Sequence, residues 1–232
     1  MSRATAKATF YTALNLLFFA LVGTALLALT YDLTHDIIAR SIEKEKLKLI
    51  RQIVPPTAYD NDIIKDTALL PADKLLGSDE PAMIYRGRLN NRPSIAVIQA
   101  AALGYSGKTQ LIIAIHSDGR ISGVRVVSHK ETPGLGDYIE IAKSNWITGF
   151  NSTSLEDPSE SEWKVKKDGG KFDYMAGATI TARSVVKAVH KALQYYALHR
   201  DEMFAVNTPT PPGLPLSGEA QMKPKSRVDV KV

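Results

Sequence analysis

The sequence contains no cysteine among its 232 residues. This excludes disulfide bonds, Cys-ligated iron–sulfur clusters, thiolate nucleophiles and CxxC redox chemistry. It also lacks a basic block: 29 Lys and Arg against 24 Asp and Glu give a net charge of +5, with the basic residues dispersed and not interleaved with aromatics. We therefore do not expect the chain to bind nucleic acid.

Signals for nucleotide and metal sites are missing as well. No predicted strand is followed by GxGxxG or a P-loop, so a dinucleotide or nucleoside triphosphate site is not expected. His129 lies close to Glu131, a pair that occurs in acid–base and metal chemistry but is usually structural. The histidines show no ligand spacing, so no metal site is expected; they are His35, His116, His129, His190 and His199.

The N-terminus carries a long apolar run. Ala8–Tyr31 has no charged residue, and as a helix it spans roughly 36 Å, enough to cross a bilayer. A cleaved signal peptide is the alternative, but its apolar core is normally about 7–15 residues. Arg3 and Lys7 precede the run, so the positive-inside rule places the N-terminus in the cytoplasm and the rest of the chain outside it. We expect an uncleaved, single-pass anchor.

A second helical pattern, from Thr34 to about Val54, continues the first, and Pro55-Pro56 ends it. We divide the chain at these signals. Residues 1–33 form the cytoplasmic N-terminus and transmembrane helix, and 34–56 form a membrane-proximal helix. Residues 57–204 form an exported globular domain. The final part, 205–232, is rich in proline without an apolar period and is predicted to be a disordered tail.

The globular part has short β-strand patterns joined by turns. Four strands are predicted, at Met83–Leu89, Ser94–Ala101, Gln110–Ile115 and Ile121–Ser128. Residues 90–93 and 117–120 look like hairpin turns, the second with Asp-Gly at its tip. Such short connections imply an antiparallel sheet, and with the helices an α+β fold.

Beyond the sheet, three further elements are predicted. A short helix is expected at about Asp137–Lys143, after a Pro-Gly turn. Trp163–Lys166 alternates apolar and basic residues like an edge strand. Ala182–His199 has apolar residues at three- and four-residue spacing, which predicts an amphipathic helix.

The stretch Asp173–Thr181 leads into that helix and allows two interpretations. Gly177 and Ala178 make a tight loop, and hydroxyls follow at Thr179 and Thr181. Either threonine is suited to be the helix N-cap. A helix N-terminus with free N–H groups also favours a phosphate. Local sequence alone leaves both interpretations open.

Three ordered motifs carry a family resemblance. They are HKETPGLG at 129–136, WKVKKDGG at 163–170 and DYMAGATIT at 173–181, behind one N-terminal span. Together with Gly-Tyr-Ser-Gly at 104–107 they resemble the G subunit of the Rnf electron-transport complex. A related flavin-bearing domain occurs in the C subunit of sodium-translocating NADH:quinone reductase. The residues of the HKETPGLG motif and of the Asp-Gly-Gly stretch favour Rnf.

The resemblance implies an FMN-binding domain with a covalently bound cofactor. In this family the last Thr of the Gly-Ala-Thr motif carries FMN through a phosphoester, and Thr179 matches it. A flavin transferase makes that bond and reads an upstream acidic residue, matched by Asp173. Ala176 stands where many members have Ser or Thr, but the acceptor hydroxyl is retained.

The resemblance also implies further cofactor-binding residues, partners and a location. The implied flavin contacts are Gly177, Ala178, Thr181, Glu131, Thr132, Leu135 and Gly136. The implied function is to relay electrons in a bacterial inner-membrane complex that couples ferredoxin–NAD electron transfer to ion movement. Its partners are the other membrane subunits, the flavin transferase and lipid. Two alternative functions remain: a membrane-anchored periplasmic binding or assembly module without covalent flavin, and the equivalent subunit of a sodium-translocating NADH:quinone reductase.

Overall fold

Five antiparallel strands form one sheet in the computed structural model, which describes residues 3–205. They pair in chain order, β1-β2-β3-β4-β5. Their bounds are Thr67–Leu70 for β1, Ala82–Leu89 for β2, Arg92–Leu103 for β3, Lys108–His116 for β4 and Ile121–Ser128 for β5. The predicted antiparallel sheet and its four strands are confirmed. β1 was not predicted, because its four residues are too few to show alternation.

Tight turns join the long strands. Asn90 and Asn91 connect β2 to β3 with φ angles of 51° and 61°. Two consecutive positive φ angles match the right-handed strand twist, and asparagine tolerates them better than most residues. The predicted turn at 90–93 is therefore shorter than expected, because Arg92 and Pro93 already pair with β2.

Both faces of the sheet are buried. Along β2, β3 and β4, alternate residues point to opposite faces. Ile84, Ile98 and Ile113 belong to the larger core cluster, together with the long C-terminal helix. Tyr85, Val97 and Ile112 belong to a second cluster, with the end of the N-terminal helix. One helix thus packs against each face of the sheet.

The N-terminal helix α1 runs from Arg3 to Ile53 without a break and ends just before Pro55-Pro56, as predicted. Its N-terminal part is long and apolar enough to cross a membrane, by length and composition alone. Its C-terminal end is fastened to β5, where the Ser122 hydroxyl donates to the Ile53 carbonyl at 2.6 Å. A Cβ at Gly123 would lie 2.7 Å from Ile53 Cγ2, so glycine permits this close packing.

The C-terminal helix α2 spans Thr179–Ala205, longer than the predicted 182–199. Its far end is held by arginines of β2. Arg86 and Arg88 donate to the carbonyls of Met203 and Phe204 at 3.4 and 2.9 Å. The same two arginines pair with Asp66. These contacts fix the end of α2 to β2, the strand next to the edge strand β1.

Two predicted elements are wrong. Trp163–Lys166 is not an edge strand: Val165 forms one isolated bridge with Phe172, and 3₁₀ turns flank it. The alternation arises because Trp163 and Val165 are buried anchors of a loop. The predicted helix 137–143 is a 3₁₀ turn at Asp137–Ile139, since Glu140 adopts extended backbone with ψ of 135°.

The domain boundaries at 33, 56 and 204 remain predictions. α1 crosses the first of them as one continuous helix. Ala205, the first residue assigned to the tail, is the last residue of α2. The predicted disorder of the remaining tail, 206–232, lies outside the described residues.

Candidate functional site

The site is built around the N-terminus of α2. Thr179 is the first helical residue, so neither it nor Thr181 is the N-cap considered from sequence. Ala178 occupies that position, and its carbonyl accepts the first helical hydrogen bond, from the Ala182 N–H at 3.4 Å. Alanine has no side chain that can cap the helix. Within residues 3–205, no hydrogen bond satisfies the backbone N–H groups of Thr179 and Ile180.

Thr179 itself is half-buried. Among residues 3–205, its hydroxyl has no hydrogen-bond partner, whereas the nearby Ser184 hydroxyl donates to the Thr181 carbonyl at 2.8 Å. The Thr179 hydroxyl is therefore available for a ligand at the positive end of the helix dipole.

Gly177 brings the DYMAGATIT segment against the HKETPGLG loop. Its φ of 86° is in the left-handed region that favours glycine. A Cβ there would lie 3.1 Å from Leu135 Cδ1. Leu135 is 41% exposed, so its side chain sits beside Gly177 at the surface and not in the core. The fold thus brings together Leu135 and Gly177, which are 42 positions apart in the sequence.

Glu131 fastens the same two motifs below the surface. Its carboxylate is 5% exposed and accepts the Thr181 hydroxyl at 2.6 Å. Its other oxygen accepts the Ser106 N–H at 3.2 Å. A Cβ at Gly104 would clash with Oε1, and one at Gly136 would lie 2.8 Å from Oε2. Glycine at both positions therefore leaves the space that this carboxylate occupies.

The rest of the HKETPGLG loop is shaped by its own hydrogen bonds. The carbonyl of Thr132 accepts the N–H groups of Leu135 and Gly136 at 3.1 and 3.0 Å. His129 accepts the Glu131 N–H through Nδ1 at 3.0 Å. Its Nε2 therefore carries the proton and donates to Glu140 at 2.6 Å. His129 thus supports the loop, in agreement with a structural role.

The WKVKKDGG segment is fastened to the same helical turn. Arg183 donates through two nitrogens to the Asp168 carboxylate, each at 2.6 Å. This hydrogen bonding lowers the pKa of Asp168 and raises that of Arg183. Thr181 and Arg183 therefore connect the start of α2 to two different loops, so that all three sequence motifs meet there.

Asp173 lies at the surface beside this junction. Its carboxylate is 71% exposed and pairs with Lys166 at 2.6 Å. Its carbonyl accepts the Trp146 indole N–H at 2.8 Å. The side chain is thus accessible, while the backbone is held in place.

An aromatic cluster supports the site from below. Trp146 contacts Tyr138 and Phe150 edge-on, with ring centroids 5.3 and 5.5 Å apart. Phe150 stacks on Phe172 at 4.7 Å. Burial raises the pKa of Tyr138, and the negative charge of Glu131 reinforces this shift. This rigid base holds the loop that precedes α2.

The structure adds apolar residues that the sequence analysis did not single out. Met175 and Ile180 are 39% and 49% exposed on either side of the Gly-Ala-Thr turn, and Tyr174 is 38% exposed. Large apolar side chains at the surface next to a helix N-terminus are typical of a ligand site. In the sequence, the feature that could have pointed to these three residues was their position inside the DYMAGATIT motif. In the described chain, no group of three or more His, Asp or Glu side chains is placed to hold a metal ion.

Comparison with known proteins identifies the family. The model of the FMN-binding domain matches residues 104–194, and that of the RnfG N-terminal region matches residues 1–53. The G subunit of the ion-translocating oxidoreductase complex of Pseudomonas aeruginosa (strain UCBPP-PA14) is 47% identical over 206 residues, which cover 88% of this chain and 96% of that protein. The chain belongs to the RnfG family.

Other G subunits of this complex are similar over most of their length. That of Aliivibrio fischeri (strain ATCC 700601 / ES114) is 44% identical, covering 82% of this chain and 91% of that protein. That of Vibrio cholerae (strain ATCC 39541) is 42% identical, covering 83% and 91%. The expected family is confirmed. As a member of the RnfG family, the chain is a flavoprotein subunit of an ion-translocating oxidoreductase complex, with FMN as its cofactor and with other subunits as partners.

One solved structure is similar to part of this chain. It is the C subunit of the Na⁺-translocating NADH-quinone reductase from Parabacteroides distasonis ATCC 8503. The match is 20% identical with a TM-score of 0.42 and covers 64% of this chain and 70% of that chain.

Proposed function

We propose that this member of the RnfG family carries FMN covalently on Thr179 and relays electrons through it. The bond is a phosphoester between the threonine hydroxyl and the FMN phosphate. The observation that carries the proposal is the position of Thr179, a half-exposed hydroxyl at the first residue of a 27-residue helix. The three family motifs converge on that helical turn.

The residues around Thr179 fit a phosphate. The N–H groups of Thr179 and Ile180 have no partner within residues 3–205, and the α2 dipole favours an anion by roughly 0.3–1 kcal/mol. Gly177 lets the backbone approach closely because it carries no Cβ. Ala178 is buried and keeps the turn narrow. These features would hold the phosphate end of the cofactor.

The surface next to Thr179 fits an aromatic ring system. Leu135, Met175 and Ile180 present exposed apolar side chains there. Thr132 and Gly136 belong to the same loop as Leu135. Thr181 and Glu131 lie beneath, bonded to each other. When bound, FMN supplies a centre that accepts electrons singly or in pairs, while the protein positions it and sets its environment.

The proposal extends to maturation, location and electron flow. A flavin transferase attaches the FMN with FAD as the donor: the Thr179 hydroxyl attacks the FMN phosphate of FAD, the pyrophosphate bond breaks, AMP leaves and the hydroxyl proton is released. The enzyme recognises Asp173, whose exposed carboxylate it can reach. α1 anchors the chain in the lipid of the bacterial inner membrane, with Arg3 and Lys7 in the cytoplasm and the sheet domain in the periplasm. The complex couples ferredoxin–NAD electron transfer to ion movement.

A denaturing gel tests the covalent bond. The full chain is coexpressed with its flavin transferase, purified, denatured and examined for flavin fluorescence. We expect a fluorescent band for wild type and none for Thr179→Ala. Thr179→Ser, which keeps a hydroxyl, is the matched control and retains at least part of the fluorescence. Complete release of flavin from the wild type on acid unfolding contradicts the proposal and favours a binding or assembly module.

Two further experiments test recognition and topology. Asp173→Asn removes one charge without changing the side-chain shape, and we expect it to reduce the fluorescent fraction. Equal loading in this variant and in wild type contradicts the role of Asp173. A reporter fused after Arg200 is expected to be active only outside the cytoplasm. Activity inside would reverse the orientation.

A further inference from the structure

Glu131 is a buried acid without a nearby cationic partner. Its side chain is 5% exposed, and no ion pair to it is found among residues 3–205. Both carboxylate oxygens instead accept hydrogen bonds, from the Thr181 hydroxyl and the Ser106 N–H. Acceptance at both oxygens is the pattern of an ionised carboxylate. Such a buried, unpaired charge is costly, so a functional reason for it is expected.

The chain leaves space for this carboxylate at two separate places. Gly104 lies in the turn before β4, and Gly136 lies at the end of the HKETPGLG loop. A Cβ at either position would lie within 2.8 Å of a Glu131 carboxylate oxygen. Real Cβ contacts essentially never occur at that distance, so any larger residue would displace the acid. Two segments of the chain are therefore shaped around one side chain.

The oxygens of Glu131 are already engaged, and the side chain does not face solvent. We propose that Glu131 is a positioning residue: it holds the loop Glu131–Gly136 on the first turn of α2 and places a fixed negative charge behind the flavin, without contacting the flavin. This inference rests on the proposed attachment at Thr179. It differs from the direct flavin contact that the family resemblance implies for Glu131.

The positioning part follows from the geometry. The Glu131–Thr181 hydrogen bond joins the start of the loop to α2 at 2.6 Å. Leu135, at the other end of the loop, then packs beside Gly177, two residues before Thr179. Without the buried bond, the exposed Leu135–Gly177 contact remains, while the Glu131–Ser106 bond ties the loop to the turn before β4 and not to the helix.

The charge part follows from position and burial. Glu131 is bonded to Thr181, two residues after Thr179, and it begins the loop whose Leu135 lies beside Gly177. The carboxylate therefore lies beneath the surface to which the proposed flavin is attached, in a buried setting where charges are screened much less than in water. A fixed negative charge disfavours adding electrons to a nearby group, because reduction makes that group more negative. The carboxylate should thus lower the reduction potential of the FMN.

The first experiment measures the loop in the flavin-free full chain in detergent, by hydrogen exchange of the Leu135 and Gly136 amides. Both amides donate to the Thr132 carbonyl, so their protection reports loop order. We expect several-fold faster exchange in Glu131→Ala. Glu131→Gln keeps the shape of the side chain. Its amide oxygen can accept the Ser106 N–H and its amide nitrogen can donate to the Thr181 hydroxyl, so we expect it to retain most of the protection. Exchange in Glu131→Ala equal to that of wild type would overturn the positioning role.

The second experiment measures the midpoint potential of the loaded protein by redox titration. We expect Glu131→Gln to shift the potential to a more positive value, because charge is lost while shape is kept. Glu156→Gln removes the same charge from an exposed position and is expected to leave the potential unchanged. An unchanged potential in Glu131→Gln overturns the charge role.

The two readouts separate this inference from the proposed function. A wild type without a fluorescent band on a denaturing gel contradicts attachment at Thr179 and, with it, the charge role. The exchange experiment needs no flavin and still decides the positioning role. If Glu131→Ala does not fold, the midpoint potential is still measured in Glu131→Gln, with Glu156→Gln as the control. Thr181→Val, which removes only the donor to Glu131, then supplies the exchange measurement.

Discussion

Replacing Thr181 by valine tests the buried hydrogen bond that joins two of the three motifs. Valine has nearly the same shape as threonine, so the change removes the hydroxyl without opening a cavity. Thr181 is 1% exposed and Glu131 5%, so water cannot replace the lost donor. Hydrogen bonds to charged groups contribute about 1.5–3 kcal/mol. We expect Thr181→Val to lower the free energy of unfolding by that amount.

The expected shift in melting temperature follows from domain size. For a domain of about 150–250 residues, 1 kcal/mol corresponds to roughly 2–4 °C, so about 1.5–3 kcal/mol predicts a fall of roughly 3–12 °C. The assay is thermal and urea unfolding of the flavin-free full chain in detergent. Trp146 and Trp163 provide the fluorescence signal, since both lie in the aromatic cluster below the site.

Thr181→Ser is the matched control because it keeps the hydroxyl and removes one methyl group, which costs about 0.8 kcal/mol. It should be clearly more stable than Thr181→Val. Two results would refute the reasoning: a valine variant within about 0.5 kcal/mol of wild type, the range of ordinary surface substitutions, or a serine variant as unstable as the valine variant. Either would mean that the Glu131 oxygen does not depend on this donor.

Three other predictions concern different parts of the molecule. Gly177→Ala forces a Cβ into left-handed backbone and against Leu135; we expect a loss of about 1–2 kcal/mol, seen in the urea midpoint, and weaker flavin loading on gels. Ser122→Ala removes the hydrogen bond to the Ile53 carbonyl and should cost about 0.5–1.5 kcal/mol, whereas equal stability would show that α1 docks by apolar packing alone. Burial raises the pKa of Tyr196 to about 12, above the ordinary value of 10.0. The resulting stability is present below pH 10 and lost as the pH rises towards 12, so urea midpoints should fall over that range, and less so in Tyr196→Phe.

The local sequence was sufficient to predict the elements that depend on interactions between neighbouring residues. The four long strands follow from alternation and from the Asn-Asn and Asp-Gly turns, which depend on neighbouring residues only. The end of α1 follows from Pro55-Pro56, since proline cannot continue a helix. Trp163–Lys166 shows the limit of such patterns, because alternation also arises when a loop inserts two anchors into a core.

Tertiary structure decided how the motifs meet. The sequence by itself determined the Gly-Ala-Thr turn, its helix and the family to which the motifs belong. It left open whether a threonine caps that helix, and the fold shows Ala178 in that position. It also gave no indication that Glu131 reaches Thr181 or that Asp168 reaches Arg183. These pairs are 50 and 15 residues apart, and only packing of the loops around the start of α2 brings their side chains together. The site is therefore a property of the fold, because the bonds that join its three motifs connect segments that are separate along the chain.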